Sequence, residues 1–313
     1  MDSAHQRWLS HARHELQPFH RGLVSRWHHS RPKNSGRSCC SRRKSIREVS
    51  RNSQGRTRLS LSPLAFTSNR VQRLRRLVND KSERAQEKAF VVEGATLIDE
   101  AIRAGWQIES QFVAPGGVAC SGAGSAVNDL APGVIERVAS TATPQPVIAI
   151  ALKKEHDIDA LKSGGDSWVV IADKVSDPGN LGTILRSAEA AGASAVMLTS
   201  GTVDAFSPKV VRASAGAIFN IPVFESVTLE EVASLGFSTW GSSSHQLDKS
   251  VDFNAADLSG RVAIVLGNEA HGLSMNTKLD GWLTIQHAGR AESLNVAMAA
   301  TLLCFEVKRQ HNK

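Results

Sequence analysis

The chain has 313 residues, 41% of them hydrophobic and 21% charged, an ordinary globular composition with room for about two domains. No apolar run approaches the roughly 18–20 residues of a bilayer-spanning helix, so no membrane partner is expected; the longest candidate, 294–305, is short and carries Asn295. Cys39, Cys40, Cys120 and Cys304 are too few and too scattered for a disulfide framework and form no CxxC pair, which argues for a reducing compartment such as the cytoplasm and against a metal site. The net charge of +7 belongs to one end: residues 1–62 hold 14 Lys/Arg and 3 Asp/Glu, whereas 63–313 hold 23 and 27, a net −4. A polyanion bound by the remainder must therefore meet local basic patches rather than a global field.

Residues 1–62 are rich in Arg and Ser, with isolated, aperiodic apolar residues, and read as a disordered basic segment. Three origins stay open: a solvated tail adding nonspecific RNA affinity, an organelle-targeting peptide, or an extension from a start codon assigned too far upstream. From Ser68 the pattern changes. Val71, Leu74, Leu77 and Val78 share one helical face, and Arg70, Arg73 and Arg76 share another. The arginine stripe is either a solvated helix face or a phosphate-contacting one, since no acids are interspersed to neutralise it. Strand 89–93 with a turn at Gly94, helix 96–104, strand 107–114, a loop with a short helix over 116–133, and strands 134–139 and 147–152 complete a small α/β domain, 63–152. The charged stretch 153–166 reads as a linker.

The run Trp168-Val-Val-Ile-Ala172 then opens a second domain, 167–313, with the apolar, β-branched character of a central parallel strand. Helix 181–191, strand 195–199, helix 208–215, strand 221–224, helix 228–235, strands 239–242, 262–266 and 282–285, and a helix from about Ser293 follow. Such alternation predicts a parallel sheet with helices on both faces.

Three clusters in this domain sit where a strand runs into a helix, the place where α/β sheets gather their ligands. The first is Asp173-Lys-Val-Ser-Asp-Pro-Gly-Asn180-Leu-Gly-Thr-Ile-Leu-Arg186. Asn180 can cap the helix, with Arg186 about a turn and a half further on, or the segment is simply a capped core helix with one exposed arginine. The second is Val265-Leu266-Gly267-Asn268-Glu269-Ala270-His271-Gly272, whose glycines would let backbone approach a ligand, and which could equally be an ordinary turn. His271 is a surface or capping histidine, or a catalyst. The third is Ile285-Gln286-His287-Ala-Gly-Arg-Ala-Glu-Ser293-Leu294-Asn295, where Ser293 and Asn295 are caps or ligand contacts at a helix start.

Taken in this order, the three clusters resemble the motifs of the SpoU family of S-adenosylmethionine-dependent RNA ribose 2′-O-methyltransferases, part of the SPOUT superfamily. The resemblance covers roughly 169–306. The segment Val210-Val-Arg212-Ala-Ser-Ala-Gly-Ala217 also looks like a family segment. Phe90-Val-Val-Glu-Gly94 is similar to the start of the ribosomal-protein-like RNA-binding domain that many members carry before the catalytic one. Gln286-His287 stand where the family often has Pro-Met, and Gly267-Asn-Glu-Ala270 where it often has Gly-Ser-Glu-Gly.

The resemblance implies a trefoil-knotted catalytic domain, a homodimer whose active sites draw on both protomers, and a cofactor held mostly by backbone around Gly267, Ile285 and Leu294, with Leu266 and Thr199 nearby. It implies a catalytic set of Arg186, Asn180, Glu269, Ser293 and Asn295, in which Glu269 fixes the second-cluster loop or Arg186 itself. RNA would be met by Arg70, Arg73, Arg76, Lys209 and Arg212. A ribosomal-protein-like domain ahead of the catalytic one favours 23S-type ribosomal RNA over transfer RNA. A dinucleotide oxidoreductase and a P-loop NTPase are excluded, since neither GxGxxG nor GxxxxGK[ST] occurs. The rival is a non-catalytic RNA-binding scaffold derived from a methyltransferase, and joint retention of the five catalytic residues argues against it.

Overall fold

The computed structural model describes residues 62–163, 165, 167–243, 250–274, 276–290 and 293–312. The basic segment read over 1–62 lies outside the described residues except for Ser62.

The apolar face of Val71, Leu74, Leu77 and Val78 forms helix α1 (Asn69–Asn79) and is buried. Asp80 ends it and caps α2 (Lys81–Gln86) by accepting from the Ser82 N–H at 2.8 Å. Next come β1 (Ala89–Glu93), α3 (Ala95–Arg103), β2 (Ile108–Val113), β3 (Ala126–Asp129), α4 (Ile135–Val138) and β4 (Val147–Leu152). The strands form a four-stranded sheet in the order β1-β4-β2-β3. Two readings of this region are corrected. The loop over 116–133 contains strand β3, and the expected strand at 134–139 is a helical turn. Val134, Ile135 and Val138 are its buried residues, a helical rather than an alternating spacing.

This sheet is covered on both faces, and its residues alternate accordingly. Ala89 and Val91 of β1, with Ile148 and Ile150 of β4, pack beneath α1 and α4. Phe90 and Val92, with Val147, Ala149 and Ala151, face the other way into a core shared with the second sheet. Phe90, Trp106, Phe206 and Phe219 lie ring against ring at that junction, with centroids 5.0–6.4 Å apart. Trp106 Nε1 donates to the Phe219 carbonyl at 2.8 Å. Between the two sheets a 3₁₀ turn, Ile158–Lys162, sets Ile158 and Leu161 against the second sheet, so the stretch read as a linker is packed.

The second sheet begins with β5 (Val169–Ala172), α5 (Pro178–Ala191), β6 (Ala195–Leu198), α6 (Pro208–Ala213), β7 (Val223–Glu225) and α7 (Leu229–Ser234). It continues with β8 (Ser238–Ser243), β9 (Ser250–Asp252), β10 (Val262–Leu266), β11 (Gly281–Thr284) and α8 (Val296–His311). All seven strands run parallel, in the order β7-β6-β5-β10-β8-β11-β9. The chain thus builds outward from β5 to β7, returns to lay β8 two places from β5, and inserts β10 between them. This insertion carries Gly267 and Glu269 alongside the Asp173–Asn180 turn that follows β5.

Helix α5 packs on α8 and on α6. Gly182 is the contact with α6: a Cβ there would lie 2.3 Å from the Ala213 Cβ and 2.6 Å from its carbonyl carbon. The small residues around Val210–Ala217 therefore let α5 in close, which gives that segment a packing role.

Candidate functional site

The three motif clusters meet at the carboxyl ends of β5 and β10 and the start of α8, joined by a directed hydrogen-bond relay. The Glu269 carboxylate accepts from the Ser176 N–H at 3.0 Å, the Ser176 hydroxyl at 2.9 Å, the Asp177 N–H at 2.9 Å and the Asn180 side-chain amide at 3.1 Å. Asn295 donates its amide N–H to Asn180 Oδ1 at 2.9 Å, and its own Oδ1 accepts from the Ala297 and Met298 N–H groups at 2.8 and 3.3 Å. Physical chemistry fixes the polarity. The first-turn N–H groups of α8 can only donate, and an ionised carboxylate can only accept. Both asparagines must therefore turn their amino groups toward Glu269.

Asn180 does not cap α5. Asp177 does, accepting from the Asn180 N–H at 2.8 Å, with Pro178 in the first turn. That assignment frees the Asn180 side chain for the relay. Burial pushes the Glu269 carboxyl up, but the Asp177 and Ser176 backbone N–H groups and the Asn180 amide outweigh it and bring it down to about 2. The contribution to stability is thus complete above the ordinary value of 4.5 and is lost as pH falls toward 2. Glu269→Gln is expected to melt earlier than the parent at neutral pH, with a gap that closes between pH 4.5 and 2 in thermal melts. A gap unchanged through that window would show that the charge does not hold the loop.

Beside the relay lies a cavity of about 350 Å³, within the range of small-molecule sites. Gly267, the 268–273 turn, Ile285, His287, Ser293 and Leu294 line it, with Ser242, Ser243, Trp282, Val296 and Ala299. A Cβ on Gly267 would lie 2.4 Å from the Gly272 carbonyl carbon and the Leu273 nitrogen, so the turn doubles back onto bare backbone. The structure brings Gly267, Ile285, Leu294, Ser293 and Glu269 together at this cavity. It does not bring Leu266 or Thr199 there. Leu266 is buried in β10, and Thr199 donates to Asp173 at 2.6 Å and lines a separate polar depression with Lys81 and Ser226. Arg186 lies on the exposed face of α5 and off the cavity lining. Among the described residues none accepts a hydrogen bond from it, Glu269 included.

Burial pushes the Cys120 thiol up to about 11 and the Cys304 thiol up to about 12, so neither supplies thiolate at neutral pH. Among the described residues no three His, Cys, Asp or Glu side chains converge on a metal position, and no helix is long and apolar enough to cross a membrane.

Residues 167–305 match the SpoU rRNA Methylase family, and residues 68–149 match the MRM3-like substrate binding domain. The chain is 31% identical to the 23S rRNA (guanosine(2553)-2′-O)-methyltransferase RlmP of Bacillus subtilis, with 74% of this chain and 93% of that protein covered. The chain belongs to the SpoU rRNA methylase family. It is also 28% identical to the 23S rRNA (uridine(2479)-2′-O)-methyltransferase of Streptomyces viridochromogenes, covering 77% and 90% of the two chains. Among solved structures it is similar to AviRb of that organism in complex with AdoMet (TM-score 0.71, 27% identity, 79% and 99% covered). It is likewise similar to an AdoMet-bound rRNA methyltransferase from Sinorhizobium meliloti (TM-score 0.67, 30% identity, 78% and 95% covered).

One departure from the SpoU pattern has a local explanation. Asn268 accepts from the Ala270 and His271 N–H groups at 2.9 and 3.2 Å and donates to the Lys174 carbonyl at 2.9 Å, so it closes its own turn and ties it to the first motif. His287 lines the cavity and His271 stands at its exposed rim. The cavity lining fits an adenosine cofactor: Leu273, Ile285, Leu294 and Val296 offer apolar surface for a flat base, with the polar Asn268, Glu269 and Ser293 beside them.

Two arginines of the stripe have carboxylate partners in the fold. Arg73 is clamped between Glu87 at 2.6 Å and Glu109 at 2.5 Å, and Arg76 pairs with Glu83 at 3.3 Å. Acids from α2 and β2 thus neutralise a face that shows none in its own sequence. Arg212 bonds the buried Glu93 at 3.1 Å and the Ser140 hydroxyl at 2.5 Å. Among the described residues Arg70 meets only the neutral Asn128, at 2.9 Å, and Lys209 is exposed on α6.

Proposed function

We propose that this SpoU-family chain transfers the methyl group of S-adenosylmethionine to a ribose 2′-hydroxyl of 23S-type ribosomal RNA. One observation carries the reading: the Asn295–Asn180–Glu269 relay locks all three motifs around a cavity fit for the cofactor. The two relatives named above are 23S rRNA 2′-O-methyltransferases, one of a guanosine and one of a uridine, so the shared motifs serve the ribose rather than the base. The cofactor, when bound, supplies a methyl group already activated on a sulfonium, which leaves orientation and removal of the hydroxyl proton to the chain.

Arg186 is too basic to be the proton acceptor. Its exposed guanidinium grips the neighbouring RNA phosphate through paired N–H groups and holds the 2′-hydroxyl in line. With the cofactor bound, the proton would pass to a phosphate oxygen or an ordered water as the oxygen–carbon bond formed and the methyl–sulfur bond broke, leaving a neutral thioether. Glu269, Asn180 and Asn295 position the loop and helix from which Arg186 projects, and Ser293 meets the ligand at the cavity mouth.

The active unit is a homodimer with a knotted catalytic domain, 167–313, served by an RNA-binding domain, 63–152. Insertion of β10 between β5 and β8 supports the knot. Met298, Leu302 and Phe305, spaced along one side of α8 and 62%, 43% and 46% exposed, support the dimer. An active site drawn from two protomers accounts for Arg186 standing off its own cavity. Leu302→Glu with Phe305→Glu is expected to yield a monomer in analytical ultracentrifugation, with methyl transfer lost. A dimer that survived both changes would remove α8 from the interface. Work on ribosomal RNA puts the enzyme where ribosomes are made, in the cytoplasm or an organelle matrix.

The deciding assay is transfer of tritiated methyl from S-adenosylmethionine to unmodified large-subunit ribosomal RNA and to bulk transfer RNA. Label in the ribosomal pool is expected. Label in neither pool, with no calorimetric cofactor binding, would favour the scaffold reading instead.

A further inference from the structure

Seven arginines of the first lobe lie among its described elements, and four of them face carboxylates: Arg73, Arg76, Arg84 and Arg103. The other three, Arg70, Arg75 and Arg137, have no carboxylate partner among the described residues. Two of these converge on one ring. The Arg137 guanidinium sits 3.6 Å from the Phe66 ring centroid, and that of Arg75 sits 5.7 Å away. Phe66 is half-buried on the core beneath α1 and α4, and its carbonyl accepts from the Gln72 amide at 2.6 Å, so the ring is held in place. Arg75 and Arg137 stay exposed.

A guanidinium lying over a phenyl ring often does no more than cover apolar surface. Here the charges are the distinguishing feature. Among the described residues no carboxylate compensates them, in a portion of the chain, 63–313, whose net charge is −4. A planar cation fixed on a rigid ring also offers an outer face to a nucleobase and edge N–H groups to a phosphate. An unpaired nucleotide supplies both partners at once, whereas the bases of a duplex are stacked and closed to such contact.

We infer that Phe66, Arg75 and Arg137 form a docking site for an unpaired nucleotide of the substrate RNA, its base stacked on the Arg137 guanidinium and its phosphate held by Arg75. The inference rests on the methyltransferase reading for the identity of the RNA, but the surface itself can be tested without catalysis. It also moves the expected RNA contact from the α1 stripe of Arg73 and Arg76 to a neighbouring surface.

The test is filter binding of the full chain to an unmodified large-subunit ribosomal RNA transcript over a salt series, alongside tritiated methyl transfer. Arg137→Gln and Arg75→Gln are each expected to weaken binding by roughly tenfold and to lower the salt slope by about one. Methyl transfer at saturating RNA should keep its kcat. Arg137→Lys keeps the charge but loses the plane, and should bind nearly as poorly as Arg137→Gln. Lysine restoring full affinity would overturn the stacking. Parental affinity in both glutamine variants would overturn the site, and if their binding to ribosomal particles fell at the same time, the surface would belong to a protein partner. Absent methyl transfer by the parent, with RNA binding still lost in the variants, would sink the catalytic reading and leave this surface standing.

Discussion

Arg186→Ala is expected to lower methyl transfer by about 10²–10³-fold, the usual loss when a donor aimed at the reacting groups is removed. Calorimetric affinity for S-adenosylmethionine should be unchanged, because Arg186 does not line the cavity. Folding should be unchanged as well, since its side chain is exposed and makes no bond among the described residues. Arg186→Lys separates two roles. Lysine supplies a point charge without the paired N–H edge, so a bidentate grip predicts a loss close to that of alanine. Near-normal turnover in Arg186→Lys would reduce the residue to a general cation. A mixture addresses where the arginine acts. Leu294 lines the cavity, so Leu294→Asp should abolish cofactor binding. If each active site takes its arginine from one protomer and its cavity from the other, co-expressed Arg186→Ala and Leu294→Asp chains regain activity that neither homodimer has. Mixed dimers with no recovered activity would place arginine and cavity in the same protomer.

The catalytic half was readable because its signals are local. Buried β-branched runs at 169–172 and 262–266 mark central strands, and each motif sits at the carboxyl end of a strand. Even so, the local rules misassigned the cap of α5. Asn and Asp are comparable caps, and only the distant partners of Asn180 decide between them: Glu269 lies 89 residues away and Asn295 lies 115 away. The ion pairs of the arginine stripe are hidden from local rules for the same reason. The two acids facing Arg73 lie 14 and 36 residues on, after α2 and in β2, and no helical spacing reveals them. Six-residue α2 has one buried side chain, the charged Arg84, and so leaves no apolar period to find. At α4 the β-branched composition of 134–139 outweighed its helical burial spacing. Phe66 passed unread because a single aromatic residue before a helix has no period at all.

Arg84 also carries the second large effect. Its guanidinium donates to Asp204 at 2.7 Å and to the Leu77 and Val78 carbonyls at 2.6 and 3.1 Å. Asp204 in turn accepts from the Phe206 N–H at 2.9 Å. The pair is 5% and 6% exposed and joins α2 of the first lobe to the loop after β6 in the second sheet. Asp204→Asn leaves a buried cation uncompensated and is expected to cost about 3–5 kcal/mol in urea denaturation, a large part of a typical domain's 5–15 kcal/mol. Arg84→Met strands the carboxylate and should cost a similar amount. Replacing both, as Arg84→Met with Asp204→Leu, removes both desolvation penalties and should recover most of the loss. Neither residue lines the cavity, so the folded fraction of each variant should bind S-adenosylmethionine with parental affinity. A loss below about 1 kcal/mol in Asp204→Asn would mean that water reaches the guanidinium. In that case the aromatic cluster around Phe90, rather than the ion pair, would be what fastens the first lobe to the second sheet.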